Sequence, residues 1–283
     1  MRRGLALIGA LLVGACAPAG PMVQPSRIIS LNPCTDALLV ELADRDQIGA
    51  LSSYSRDSTQ SSVDMAVARS YPFTRGTLEE VIATRPSLVV SGSFTPPSTR
   101  AAYPTMGLRL EEFSMAATVE ESEAQVRRMA ALLGHPERGE AMIARIDKAL
   151  RDAAAPPGTR PLPALFWHGG GLVVGRETLV SDLLRRTGFV PFAAIRGMGQ
   201  SQFLPLERMV ADPPRVLLVV GRPENDHDAD SGREGRRVLG HPVLARLSGM
   251  QRFDYDPKLE YCGGPTIIRA AQRLAQIRKG AGA

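Results

Sequence analysis

The chain has 283 residues, of which 44% are hydrophobic and 22% charged, a composition that is typical of globular proteins and excludes wholesale disorder or a collagen-like repeat. The 34 basic and 29 acidic side chains give a formal net charge of +5, but the basic residues are scattered and only 5% of residues are aromatic, which argues against nucleic-acid binding. The length suits one large domain or two domains of medium size.

The N-terminus has the pattern of a bacterial export signal. Arg2 and Arg3 precede an apolar stretch, Leu5 to Val13, that is too short to span a membrane as a mature helix. Small residues then lead directly into Cys16, which is the arrangement of a lipoprotein signal. In such signals the cysteine is lipid-modified and becomes the first residue of the mature protein.

This pattern predicts a lipoprotein signal peptide at 1–16, with Cys16 as the first mature residue, and a flexible tether at 17–25. The protein is then held in the periplasm or cell envelope by a lipid anchor in the membrane. An ordinary secretory signal, cleaved near Ala17 or Ala19, is the alternative interpretation.

Two pairs of segments repeat the same order of elements. Residues 77–90 indicate a short helix, a proline break and an apolar strand, and residues 205–218 have the same pattern. A second pair of strand–loop–helix units begins at Arg27 and at Ala164. Such units occur in any α/β protein, but two repeats in the same order favour two similar α/β lobes.

The most helical part of the chain lies between these lobes. Thr118 and Glu121 form a capping box, and apolar residues then recur at helical spacing. Residues 134–136, Gly-His-Pro, interrupt the pattern before it resumes. The sequence predicts an α/β fold with a ligand cleft between an N-terminal lobe at 26–117 and a C-terminal lobe at 160–283, joined by a long bridging helix at 118–154.

These features resemble the substrate-binding proteins of bacterial ABC importers for vitamin B12, haem and ferric siderophores. The resemblance depends on the lipoprotein signal, the opening strand at 27–31, the bridging helix and the paired Leu-Glu-x6-Pro segments, and it covers roughly residues 26–280. It implies a class III, helical-backbone fold and a monomer that performs no chemistry and needs no cofactor. Such a protein captures a metal chelate, here a cobalamin-type corrinoid or a ferric siderophore, and delivers it to ABC permease subunits.

One glutamate of each lobe matches a docking position of that family, in which a surface carboxylate on each lobe contacts basic residues of the permease. The matching residues are Glu79 and Glu207, which occupy corresponding positions in the repeated segments. Each carboxylate also lies in a first helical turn, where it would favour the helix dipole in any case.

Polar and aromatic side chains follow the predicted strands, where open α/β sheets bind ligands. In the resembled family, the loop after the first strand lines the ligand site. Aromatic rings would give contact area to a large planar or macrocyclic ligand, and arginine would suit its carboxylates or phosphate. The predicted ligand-binding residues are Asn32, Cys34, Thr35, Tyr54, Arg56 and Phe94 in the first lobe, and Trp167, His168, Arg176, Gln202, Arg222, Tyr261 and Cys262 in the second.

The cysteines Cys34 and Cys262 both lie at predicted helix starts, in a compartment that oxidises thiols. Three interpretations stay open. A disulfide would stabilise the protein and restrict opening of the lobes. Two buried thiols would act as small apolar residues, and two thiols facing the cleft would contact a soft part of the ligand.

Catalytic motifs are present only as incomplete matches. Residues 168–171, His-Gly-Gly-Gly, are similar to an esterase oxyanion loop, but no Gly-x-Ser-x-Gly nucleophile motif occurs in the sequence. Only His168, of four histidines, follows a strand, so the sequence does not predict a bare metal site. An exported hydrolase acting in the cell envelope is the alternative function.

Overall fold

The computed structural model of the protein describes residues 27–93, 95–168, 171–221, 241–247 and 249–282. These residues form two α/β lobes connected by helices, which confirms the predicted fold class. Several predicted features lie outside the described residues: Cys16 with its signal, the tether at 17–25, Phe94 and Arg222.

The N-terminal lobe is built on a five-stranded parallel sheet with the strand order β3-β2-β1-β4-β5. Its strands β1 and β4 are buried along their whole length, which explains why they consist of continuous apolar runs ending in small polar residues. The strands are β1 (Ile28–Ser30), β2 (Ile48–Ser52), β3 (Phe73–Thr74), β4 (Leu88–Gly92) and β5 (Leu110–Phe113), and the helices are α1 (Pro33–Leu42), α2 (Met65–Arg69), α3 (Leu78–Thr84) and α4 (Pro97–Thr105).

The predicted bridging helix is divided into two helices, α5 (Val119–Leu133) and α6 (Pro136–Ala153). Gly134 ends α5 in the left-handed conformation with φ of 81°, and Pro136 starts α6. The two helices run antiparallel and contact each other along their length. The Arg127 guanidinium of α5, for example, donates to the Glu140 carboxylate of α6 at 2.9 Å. The chain therefore crosses between the lobes through a helical hairpin.

The C-terminal lobe has a six-stranded sheet with the order β11-β10-β6-β7-β9, in which β8 pairs with the first half of β6. Strands β6, β8, β10 and β11 are parallel, and β7 and β9 run antiparallel to their neighbours. The strands are β6 (Leu162–Trp167), β7 (Leu172–Val174), β8 (Phe189–Pro191), β9 (Ser201–Phe203), β10 (Val216–Val220) and β11 (Gln251–Tyr255), and the helices are α7 (Leu179–Arg186), α8 (Leu206–Ala211), α9 (Pro242–Ala245) and α10 (Thr266–Gly280).

The largest hydrophobic cluster runs through both lobes. It includes side chains from the sheets of both lobes and from α1, α5, α6 and α10, among them Leu38, Val126, Ile146, Phe166 and Leu274. The lobes are thus packed together on the side of the helical hairpin. Among the helices of the described residues, none combines the length and apolar character needed to cross a bilayer.

Candidate functional site

The carboxyl edges of the two sheets face each other. Cys34, just beyond β1, forms a disulfide with Cys262, which lies in the segment between β11 and α10, and their Cα atoms are 5.0 Å apart. The Ser62 hydroxyl, in the segment after β2, donates to the carbonyl oxygen of Lys258 at 3.4 Å. We call the region between these two edges, bounded by the loops that follow β1, β2, β6 and β11, the cleft.

The first wall of the cleft is organised by Asn32, the N-cap of α1. Its side-chain oxygen accepts a hydrogen bond from the Cys34 amide at 2.8 Å. Residue 92 must be glycine for this geometry, because a Cβ at that position would lie 2.5 Å from the Asn32 side-chain nitrogen. Since β1 pairs with both β2 and β4, this wall lies where the strand order reverses, a common ligand position in α/β sheets.

Thr35 lies behind this wall instead of facing the cleft. Its side chain is buried, and its hydroxyl donates to the carbonyl oxygen of Asn32 at 2.9 Å and lies 2.7 Å from the Ser30 hydroxyl. The structure therefore places Thr35 as a support for the loop.

Tyr54 and Arg56 follow β2 in a short 3₁₀ helix, Ser53–Arg56, and both side chains are exposed. The Arg56 guanidinium lies 4.6 Å from the centre of the Phe73 ring and donates to the carbonyl oxygen of Tyr71 at 2.9 Å. Phe73 is itself half exposed, so this corner offers two aromatic rings and a held cation. Sequence reasoning missed Phe73, because a two-residue strand gives little pattern.

A buried carboxylate, Asp36 of α1, holds the turn that carries Tyr54 and Arg56. It accepts hydrogen bonds from the Ser52 amide at 3.0 Å, the Ser52 hydroxyl at 2.5 Å and the Ser55 hydroxyl at 2.6 Å. Burial raises the pKa of Asp36 to about 6, although these hydrogen bonds act in the opposite direction. Asp36 thus ties α1 to the turn that carries Tyr54, a role that sequence reasoning did not find.

The second wall contains a histidine–carboxylate pair. His168 follows β6, and its Nε2 lies 2.9 Å from Oε1 of Glu260, which is only 5% exposed. The other oxygen of Glu260 is buried and has no hydrogen-bond partner among the described residues. The partners are 92 residues apart in sequence, and sequence reasoning missed Glu260.

Tyr261 is the exposed aromatic of this wall. Its ring is 55% exposed and its centre lies 6.5 Å from that of His168. Partial burial and the nearby Glu260 raise the pKa of Tyr261 above its ordinary value. Its neighbour Cys262 is buried and joined to Cys34, so the structure selects the disulfide among the three interpretations of these cysteines.

Two other predicted ligand residues, Trp167 and Arg176, do not face the cleft. Trp167 is 1% exposed and packs in the core of the C-terminal lobe. Arg176 is exposed beyond β7, which runs antiparallel to β6 and carries the chain away from the cleft edge. Gln202 is exposed on the edge strand β9. It is level with the carboxyl end of β6, because it pairs with Val173, which pairs with Trp167. The loops and helix starts that bound the cleft carry Asn32, Cys34, Tyr54, Arg56, His168, Tyr261 and Cys262, and the role of these residues in ligand binding stays a prediction.

The two predicted docking glutamates have equivalent positions. Glu79 and Glu207 are each the second residue of a helix, α3 and α8, and each helix follows an edge strand of its sheet. Both residues are exposed, and neither forms an ion pair with a residue that the structure describes. The placement matches on the two lobes, while the docking role stays a prediction.

No metal site is formed by the protein alone within the described part of the chain, since no three His, Cys, Asp or Glu side chains converge there in a way that would hold an ion. The chemistry of the cleft is that of a binding surface. It presents rings for contact area, a guanidinium and an imidazole.

Comparison with known proteins supplies the family. A family model described as "Periplasmic binding protein" matches residues 28–251. A cobalamin-binding protein of Halobacterium salinarum is 23% identical over 199 residues, which are 69% of this chain and 54% of that protein. The chain thus spans about half the length of the curated relatives it matches.

Solved structures confirm the fold. A periplasmic heme-binding protein from Roseiflexus sp. RS-1 is similar with a TM-score of 0.71 and 22% identity, covering 91% of this chain and 99% of that one. A periplasmic vitamin B12 binding protein of Vibrio cholerae has a TM-score of 0.67 and 16% identity, and the match covers 92% of this chain and 98% of that one. An ABC-type Fe3+-hydroxamate transport system protein from Saccharomonospora viridis has a TM-score of 0.63 and 18% identity, and the match covers 89% of this chain and 92% of that one.

Proposed function

Because the chain belongs to the periplasmic binding protein family, whose members bind substrates and are not enzymes, we propose that it captures a metal chelate and delivers it to an ABC importer. The chelate is a cobalamin-type corrinoid or a ferric siderophore. The predicted hydrolase alternative has no support in a family of binding proteins.

The observation that carries this proposal is that exposed rings lie near the carboxyl edge of each sheet. Tyr54 and Phe73 project from the first lobe, and Tyr261 projects from the second, with exposures between 47% and 55%. Large exposed rings at facing sheet edges are costly for a monomer in water, and they are suited to a broad apolar ligand. The Arg56 guanidinium adds a cation for carboxylates or phosphate at its periphery.

The names of the similar proteins agree with this ligand class. They refer to cobalamin, heme, vitamin B12 and Fe3+-hydroxamate, all of which are metal-containing chelates or macrocycles. The corrinoid assignment takes its support from the Halobacterium salinarum relative, and haem belongs in any test because of the heme-binding structures.

Delivery of the chelate requires contact with the permease and a position at the membrane. Glu79 and Glu207 supply one carboxylate on each lobe for contact with basic permease residues, and Cys16 supplies the lipid anchor that keeps the protein at the membrane. The protein acts as a monomer in the periplasm or cell envelope.

A binding panel tests the proposal. Purified protein is titrated with aquocobalamin, haem and several ferric siderophores, and binding is followed by quenching of Trp167, the only tryptophan. We expect a Kd below about 1 μM for one of them, and binding weaker than about 100 μM for all would refute the proposal.

Variants of Tyr261 locate the site. Tyr261→Ala should weaken binding of the active ligand about fivefold or more, because the exposed ring and its contact area are lost. Tyr261→Phe keeps the ring and is the matched control, so it should bind nearly as well as the unmodified protein. Equal affinity of all three proteins would place the ligand elsewhere.

A further inference from the structure

The disulfide joins the two walls of the cleft and not two parts of one lobe. Cys34 lies two residues after the N-cap Asn32 on the first wall, and Cys262 directly follows Tyr261 on the second. The two cysteines are 228 residues apart in sequence, and their Cα atoms are 5.0 Å apart in space. A single covalent link thus sets the distance between residues that face the cleft from opposite sides.

Non-covalent contacts hold the same segment of the second lobe. The Gly264 amide donates to the Ser122 hydroxyl of α5 at 2.7 Å, and the Arg269 guanidinium donates to the carbonyl oxygen of Ser62 at 2.5 Å. Gly264 also packs so tightly against Leu38 that a Cβ there would lie 2.7 Å from the leucine side chain. The segment on either side of Cys262 is therefore fixed on the first lobe and on the helical hairpin.

On the first lobe, the tie continues beyond Cys34. Asp36, two residues further along α1, accepts hydrogen bonds from Ser52 and Ser55. These residues lie on either side of Tyr54, Ser52 as the N-cap of its 3₁₀ helix and Ser55 directly after the tyrosine. A rigid path thus runs from the Tyr261 wall through the disulfide and the first turn of α1 to the Tyr54 wall.

We infer that the Cys34–Cys262 disulfide is an inter-lobe tie that fixes the width of the cleft, so that the ligand enters a site already formed. The inference rests on the proposed function and adds how the site selects its ligand. A gap of fixed width favours a rigid ligand of matching thickness and does not adapt to a thicker or thinner one. Since the walls are ordered before binding, less free energy is lost in ordering them when the ligand arrives.

The test compares Cys34→Ser/Cys262→Ser with the unmodified full chain. Small-angle X-ray scattering without ligand should give a larger radius of gyration for the double variant, because only non-covalent contacts then hold the two walls together. Titration with aquocobalamin, haem and ferrioxamine B should show about tenfold weaker binding of the active probe, with faster dissociation. Ser122→Ala is the control, because it removes a neighbouring hydrogen bond between the helical hairpin and the second lobe and leaves the disulfide in place.

A general loss of stability would weaken binding in Ser122→Ala as well, whereas a tie that sets the gap affects only the double variant. Unchanged scattering and affinity within twofold in a folded double variant would overturn the inference. If none of the three probes binds the unmodified protein, the proposed function fails, and the ligand-free scattering comparison still decides the inference.

Hydrogen exchange of the unmodified protein provides the second measurement if the double variant does not fold. A preformed site predicts that amides of 53–62 and 256–264 are equally protected before and after the active probe is added. If no probe binds, strong protection of both segments in the free protein supports the tie. Large ligand-induced protection of both segments, or rapid exchange in the free protein, would contradict it.

Discussion

The buried carboxylate of Asp36 makes the stability of this protein depend on pH in a direction opposite to that of most acidic groups. Its pKa is about 6 in the folded protein and 3.8 when it is unhindered. Between these two values the folded protein holds a proton that the unfolded chain has lost. The free energy of unfolding contributed by Asp36 is therefore greatest below pH 4, falls as the pH rises to 6, and is constant above about pH 7.

The size of this effect follows from the distance between the two pKa values. At about 1.4 kcal/mol for each pH unit, the full loss is about 3 kcal/mol, of which about 2.4 kcal/mol falls between pH 4 and pH 7 because the unfolded group is already more than half ionised at pH 4. Asp36→Asn removes the titration and keeps the size of the side chain. Urea unfolding of both proteins at intervals from pH 4 to pH 8 gives the difference in unfolding free energy, from which contributions of all other titrating groups cancel.

We expect the advantage of the unmodified protein over Asp36→Asn to shrink by about 2.4 kcal/mol from pH 4 to pH 7. Ser55→Ala is a second variant, because it removes a hydrogen bond that favours the ionised carboxylate. It should move the decline to higher pH. A difference between the unmodified protein and Asp36→Asn that stays constant within about 0.5 kcal/mol from pH 4 to pH 8 would refute the reasoning.

The other predictions concern docking and the first wall. Glu79→Ala or Glu207→Ala should slow ligand uptake by cells and leave the Kd within about twofold. The control is Glu137→Ala, which substitutes an exposed first-turn glutamate on the helical hairpin and should change neither uptake nor Kd. A large loss of affinity in Glu79→Ala or Glu207→Ala would put the substituted glutamate in the binding site. Gly92→Ala should force the Asn32 side chain out of its cap and cost about 1 kcal/mol in urea unfolding, and an unchanged midpoint would show that the cap tolerates a methyl group.

The fold could be predicted because its signals are local. The repeated helix–proline–strand segments at 77–90 and 205–218 correspond to α3 with β4 and to α8 with β10. The break at Gly134 was visible as well, but a sequence pattern does not show that the chain reverses there. Reversal depends on packing between the two helices, as where Gly139 of α6 lies so close to Ala130 of α5 that a Cβ would be 2.7 Å from the alanine Cβ.

The candidate site could be predicted only in part, because position at the end of a strand does not fix the direction of a side chain. Trp167 and Thr35 follow this rule in sequence and are nevertheless buried, since their side chains point into the lobes. Glu260 and Asp36 were missed because their partners are distant in sequence and a lone acidic residue in a turn or a helix is usually solvated. For the same reason the sequence left three roles open for Cys34 and Cys262.

The disulfide also changes what a break in the backbone would do. It closes the chain from residue 34 to residue 262 into a ring that contains the exposed connection at 154–161, where the chain passes from the helical hairpin into the second lobe. A protease that cuts this connection opens the ring but releases no fragment, because both pieces stay joined through sulfur. One nick between the lobes therefore leaves a single molecule that keeps both walls of the cleft.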